Sequence, residues 1–138
     1  LGGPRQFKAV GPNESLAAVA AIEFTYDGAN LKPLSPAHAR ASRASDGTLT
    51  LQWVRRSRQG FDWIAGADAP LAEESEAYEI DILSGGTVSR TLDTPVSQTI
   101  YPAQQQVADF GALPGQLSLN IYQLSASVGR GQPLHITI

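Results

Sequence analysis

From Leu49 onward, apolar and polar side chains take turns along the chain. Leu49, Leu51 and Trp53 alternate with Thr50 and Gln52, and Tyr78, Ile80 and Ile82 with Glu79 and Asp81. Leu117, Leu119 and Ile121 alternate with Ser118 and Asn120, and Leu134, Ile136 and Ile138 with His135 and Thr137. Successive side chains of a strand point to opposite faces, so a period of two marks strands that bury one face and wet the other. A surface helix would instead repeat its apolar positions every three or four residues. The pattern commits this part of the chain to antiparallel sheets that share a core.

Turn residues separate these runs. Asp46-Gly47 precedes the Leu49 strand, Ser84-Gly85-Gly86-Thr87 returns the Tyr78 strand into Val88 to Leu92, and Pro114-Gly115 introduces the Leu117 strand. Further strands are expected at Pro36 to Ser45, with Ala37, Ala39 and Ala41 on one face, and at Ser97 to Tyr101. Ala103 to Ala108, followed by Asp109-Phe110-Gly111, predicts a single helical turn linking two sheets. Val128-Gly129-Arg130-Gly131-Gln132 predicts the tip of the last hairpin, with Gly129 and Gly131 supplying the turn. Between Ser35 and Ile138 this makes about seven strands, the number an all-β sandwich of fibronectin type III or immunoglobulin-like kind needs. The expected core is Leu49, Leu51, Trp53, Tyr78, Ile80, Ile82, Tyr101, Phe110, Leu117, Leu119, Ile121, Leu134, Ile136 and Ile138.

Residues 1 to 34 have a different texture. Gly2-Gly3-Pro4, Gly11-Pro12-Asn13, Asp27-Gly28 and Lys32-Pro33-Leu34-Ser35-Pro36 interrupt the segment at short intervals. Gln6 to Val10 and Ala21 to Tyr26 are expected as strands, and Ser15 to Ala21 as an alternative short helix capped by Asn13 or Ser15. Two or three such elements cannot build a core. The segment therefore reads as the tail of a preceding domain and a Pro-rich linker, with the sandwich occupying 35 to 138. The chain starts at Leu1 and contains no Met, which reads as a piece of something longer.

Composition narrows the function classes. With 10 basic and 13 acidic side chains the net charge is −3, which lacks the basic excess of a general nucleic-acid binder. The most apolar run, Leu16 to Ile22, is about one third of the roughly 20 residues a membrane span needs. The absence of Cys removes disulfides and thiolate metal sites. His38 and His135 stand apart, without the clustered carboxylates that a metal site or triad requires, so no catalytic residue, metal or cofactor is assigned. Glu73-Glu74-Ser75-Glu76 lacks the ligand alternation and central Gly of a calcium loop. Asp109-Phe110-Gly111 spells a kinase tripeptide without a phosphate loop or catalytic loop, and reads as an apolar anchor between a capping side chain and a turn. Asn13-Glu14-Ser15 fits a glycosylation sequon, a match too short to carry weight.

One group has the composition of a contact surface. Arg55, Arg56 and Arg58 follow the Trp53 strand and precede Gly60-Phe61-Asp62-Trp63, which places cations beside aromatics. Such a loop can hold acidic sugars or a partner's carboxylates, with Phe61 and Trp63 as a platform. The competing reading is internal pairing with Glu73, Glu74 and Glu76. Arg130, at the tip of the last hairpin, is the second candidate contact.

These residues also carry a resemblance. Leu31-Lys32-Pro33-Leu34-Ser35-Pro36-Ala37-His38 and Leu51-Gln52-Trp53-Val54-Arg55-Arg56-Ser57-Arg58 resemble the C-terminal region of the large baseplate proteins of tailed phages and gene transfer agents, the megatron or host-specificity proteins. The resemblance continues, in order, through Ala77 to Leu83, Gln106 to Gly111 and Gln123 to Gly131. It implies a structural and interaction module at a tail tip or baseplate, in a virion or gene-transfer-agent particle, without enzymatic activity. Its implied partners are the other domains of a larger, three-fold symmetric parent protein and neighbouring tail proteins. The alternative expectation is a carbohydrate-binding or adhesion module that recognises host glycans through the Arg/aromatic loop.

Overall fold

The structure, a computed structural model, describes residues 2–60 and 68–138. The chain divides into two compact units, Leu1–Leu31 and Lys32–Ile138.

In the first unit β1 (Arg5–Phe7) pairs antiparallel with β2 (Ile22–Phe24), with Arg5 opposite Phe24 and Phe7 opposite Ile22. Residues directly opposite share a face, so Phe7, Ile22 and Phe24 form one apolar side of the ribbon, and all three are exposed. The Phe7 and Phe24 rings meet edge to face with centroids 6.3 Å apart. The short helix expected at Ser15 to Ala21 does not form. The Ala18 amide donates to the Ser15 carbonyl at 2.9 Å and the Ala17 amide to Ser15 Oγ at 3.1 Å, which makes a turn. Helix nucleation costs more than one such bond returns, and Leu16 remains largely exposed.

The second unit contains β3 (Ala37–Arg43), β4 (Leu49–Val54), β5 (Tyr78–Ser84), β6 (Thr87–Thr94) and β7 (Gln98–Tyr101), then α1 (Ala103–Phe110), β8 (Ser118–Ser125), β9 (Gly129–Arg130) and β10 (Leu134–Thr137). One sheet has the order β3-β4-β7 and the other β10-β8-β5-β6, with β9 pairing onto β8. All pairings are antiparallel. The inner faces enclose Leu49, Leu51, Trp53, Tyr78, Ile80, Ile82, Tyr101, Leu117, Leu119 and Ile121, all buried. Phe110, Leu134, Ile136 and Ile138 are half-buried against that core. Trp53 and Tyr78, from opposite sheets, meet edge to face at 5.2 Å.

The Pro-rich stretch before β3 is part of this unit and not a spacer, and the unit starts at Lys32, ahead of the boundary expected at 35. Pro33 and Pro36 are buried, and the Pro33 carbonyl accepts from the Gln132 amide at 2.9 Å. Gly131 serves this approach: a Cβ there would lie 2.6 Å from the Pro33 carbonyl oxygen. Gly129, at φ 72°, supplies the left-handed turn residue of the hairpin.

α1 runs for two turns where the sequence predicts one. Gly111 ends it at φ 79°, and its amide donates to the Val107 carbonyl at 2.8 Å. The helix is fastened by two side chains. Gln106, fully buried, donates to the carbonyls of Gly47 at 3.1 Å and Tyr101 at 2.7 Å, and accepts from Arg43 Nη1 at 2.7 Å. Asp109 receives Arg90 Nη2 at 2.8 Å and Nε at 2.5 Å, together with the Tyr101 hydroxyl. Phe110 packs on the core between them, so Asp109-Phe110-Gly111 is a structural latch.

Candidate functional site

The loop after β4 engages two of its three arginines internally. Arg55 Nη2 donates to Asp68 at 2.9 Å and to the Ala69 carbonyl at 2.7 Å, while Nη1 donates to the Pro70 carbonyl at 3.0 Å. Arg58 clasps a single carboxylate oxygen of Glu73, at 3.1 Å from Nε and 2.6 Å from Nη2. Glu76 turns elsewhere and accepts the Tyr78 hydroxyl at 2.8 Å. Burial first, and this bond second, push the Tyr78 hydroxyl pKa up. Arg56 is exposed and makes no ion pair among the described residues. Phe61 and Trp63, the expected platform, lie outside the described residues. Of the three arginines, Arg55 and Arg58 are engaged within the chain and Arg56 is the exposed one.

Arg130 is not a free hairpin tip. β9 pairs with β8, with Leu124 opposite Arg130, which lays the hairpin along the sheet edge. The alternation of β5 and β8 puts Glu79, Asp81 and Tyr122 on that same outer face. Arg130 grips Asp81 with two bonds, at 2.7 Å from Nη1 and 3.0 Å from Nη2, and donates from Nε to the Glu79 carboxylate. Its guanidinium carbon lies 4.5 Å from the Tyr122 ring centroid. Thr91 Oγ1 completes the Asp81 shell at 2.7 Å, and Asp81 is only 2% exposed. The carboxylates, Asp81 foremost, raise the Arg130 pKa further. This arrangement is a bidentate clamp that holds the hairpin on the sheet.

The outer face of the other sheet carries the unengaged chemistry. Its register sets Arg40, Gln52 and Gln98 in one row across β3, β4 and β7, with Thr50 opposite Ile100. Gln52 Nε2 donates to Gln98 Oε1 at 3.1 Å. Val54, Val96 and Ile100 are 52%, 50% and 55% exposed. Arg40, Gln52, Val54, Val96 and Gln98, with His38, line an open depression of about 800 Å³. No Asp or Glu occurs in β3, β4 or β7, and Arg40 makes no ion pair among the described residues. β3 is bulged between Ala37 and Arg40, and His38 there takes φ 51°, an unusual value for a side-chain-bearing residue. The sequence marks β3 as a weak strand of small residues. What would have found this face is the missing acid in Ala37–Arg43, Leu49–Val54 and Gln98–Tyr101, read together once the register joins them.

The remaining candidates are quiet. His135 is exposed, with Nδ1 2.6 Å from Asn120 Oδ1. Among the described residues no group of three His, Asp or Glu side chains is placed to hold a metal ion. No described helix is long and apolar enough to cross a membrane.

No family model and no curated protein matches the chain. Solved structures do. Domains d3–d4 of the rat CD45 extracellular region match with a TM-score of 0.53 at 12% identity, covering 99% of this chain and 62% of that one. The chain thus spans under two thirds of the CD45 region it matches. The fibronectin type III domain of human fibronectin type III domain containing protein 3 matches with a TM-score of 0.50 at 14% identity, covering 78% of this chain and 84% of that one. At such identities the likeness is one of fold: the chain contains a fibronectin type III-like β-sandwich, the architecture expected from its alternating strands.

Proposed function

We propose that this chain is a non-enzymatic structural and interaction module of a phage-like tail tip or baseplate, part of a larger protein that meets a host envelope. The observation that carries the interaction role is the outer face of β3–β4–β7. There Arg40 and three half-exposed aliphatic side chains stand without acidic neighbours among the described residues, whereas Arg55, Arg58, Arg90 and Arg130 are each paired to a carboxylate of the same chain. An apolar patch rimmed by a cation with no ion pair among the described residues is suited to protein contact. The tail-tip assignment is supported by the ordered resemblance from Leu31 to Gly131, and it carries the three-fold parent and the neighbouring tail proteins with it. Fibronectin type III-like sandwiches are rigid frames on which surfaces vary freely, which suits such a role.

The test is immuno-electron microscopy of purified particles with an antibody against the sandwich. Label is expected at one end of the tail; label on the capsid, or none on intact particles, rejects the assignment. The glycan-binding alternative is separated by a glycan array: binding that disappears in Trp63→Ala would move the contact to the loop after β4.

A further inference from the structure

β3 and β10 are the edge strands of their respective sheets, and they border a common opening in the sandwich. The opening has a volume of about 460 Å³ and is floored by Ala39, Ala41, Ile136 and Ile138. Its size follows from the sequence of β3. Ala41 sits opposite the buried Leu51, yet is itself exposed, because no bulky side chain at 39 or 41 closes the gap towards the half-buried isoleucines of β10. The backbone of an edge strand has unpaired donors and acceptors, which an added strand satisfies.

The side-chain charge around the opening is one-sided. Arg40 and Arg43 line it, and no Asp or Glu side chain does. Arg43 donates to Gly47 O at 2.8 Å, Gln106 Oε1 at 2.7 Å and Pro114 O at 3.1 Å, all neutral acceptors, so its charge is held in place without being neutralised. Arg40 has no ionic partner among the described residues.

We propose that this opening takes an extended segment of a partner protein in which apolar and acidic residues alternate. The added strand hydrogen-bonds to an exposed edge. Its inward side chains fill the space over Ala39 and Ala41, and its outward carboxylates lie beside Arg40, on the face that the period of two assigns to them. The bulge at His38 ends the flat stretch, which limits pairing on β3 to the run from Ala39 to Arg43. The inference shares with the proposed function the view that the module binds protein and the use of Arg40, and it stands or falls separately from the tail-tip assignment.

The probe is a blocked peptide of alternating valine and glutamate, titrated into the isotope-labelled full chain and followed by amide NMR shifts, with a valine–lysine peptide as control. Shifts are expected along β3 and β10, weakening with added salt. Affinity should fall about tenfold in Arg40→Glu, which removes an exposed pair and adds a like charge. It should vanish in Ala41→Leu, which fills the opening. Should Ala41→Leu fail to fold, Arg40→Glu decides alone. The proposal is overturned by equal shifts from the lysine peptide, by no shifts at millimolar peptide, or by shifts confined to Gln52, Val54 and Gln98, which would seat the peptide on the sheet face instead. Particle labelling is unaffected by any of these outcomes, so failure here is distinguishable from failure of the tail-tip reading.

Discussion

On the outer face of β10–β8–β5–β6, Arg130 spans Asp81, Glu79 and the Tyr122 ring, and Asp81 is closed off from water. On the outer face of β3–β4–β7, Arg40 stands among glutamines and exposed valines, with no carboxylate on any of its three strands. The same side-chain type is a structural fastener on one face and is left without an ionic partner among the described residues on the other. A cation's availability is set by what the cross-strand register brings beside it, and not by how exposed its place in the chain looks.

That contrast can be broken by stability measurements. The core common to both faces sets the scale: Trp53→Ala should cost about 3–5 kcal/mol in denaturant unfolding, through lost burial and a cavity against Tyr78. Unfolding at the wild-type denaturant midpoint would remove Trp53 from the core. Next comes Arg130→Ala, which strands the Asp81 carboxylate with only Thr91. Removing one partner of a buried pair costs about 3–5 kcal/mol, and the partly exposed guanidinium lowers the expectation here to about 2 kcal/mol. Arg40→Ala, by contrast, should stay within about 0.5 kcal/mol. Equal losses from the two alanines would erase the distinction between the faces.

A smaller matched pair sharpens it. Thr91→Val deletes the hydroxyl that donates to Asp81 and should cost about 1 kcal/mol. Thr50→Val, on the outer face of β4, keeps β-branching without breaking any described hydrogen bond, and should leave the unfolding midpoint within error. A midpoint drop in Thr50→Val as large as that in Thr91→Val would mean that both faces are held by side-chain hydrogen bonds.

The strands of the sandwich were legible because their signal is local: Leu49, Leu51 and Trp53 state their own alternation. The helix after β7 was legible as an element but two turns long, because its second turn depends on Gln106 reaching Gly47 and Asp109 reaching Arg90, contacts that span long stretches of chain. The candidate surface was the least legible part. Arg130 between two glycines looks like a free tip, since nothing local reveals that β9 folds onto β8 above Asp81. Arg40, in a run of alanines, gives no local signal at all; it becomes visible only when three acid-free strands are joined. Gly131 misleads in the same way, since it is needed for the close passage of Pro33, a partner almost a hundred positions earlier in the chain.

Acid titration adds the last and smallest contrast. The Arg90 guanidinium, and after it the Tyr101 hydroxyl, hold the Asp109 carboxyl below its ordinary range despite the opposing effect of burial. A carboxyl whose folded pKa is depressed contributes stability that is fully present above its unfolded value, about 4, and is lost as pH falls through the folded value. The difference in melting temperature between the wild type and Asp109→Asn should therefore be largest near neutrality and shrink as the solution is acidified to about pH 2. Arg40→Gln, on the face without carboxylates, should show a small difference that does not change over the same range. A wild-type to Asp109→Asn gap that stays level, or widens, in acid would mean that the latch between β6, β7 and α1 is held by shape and hydrogen bonding alone. The engaged and unengaged arginines would then differ in geometry but not in charge.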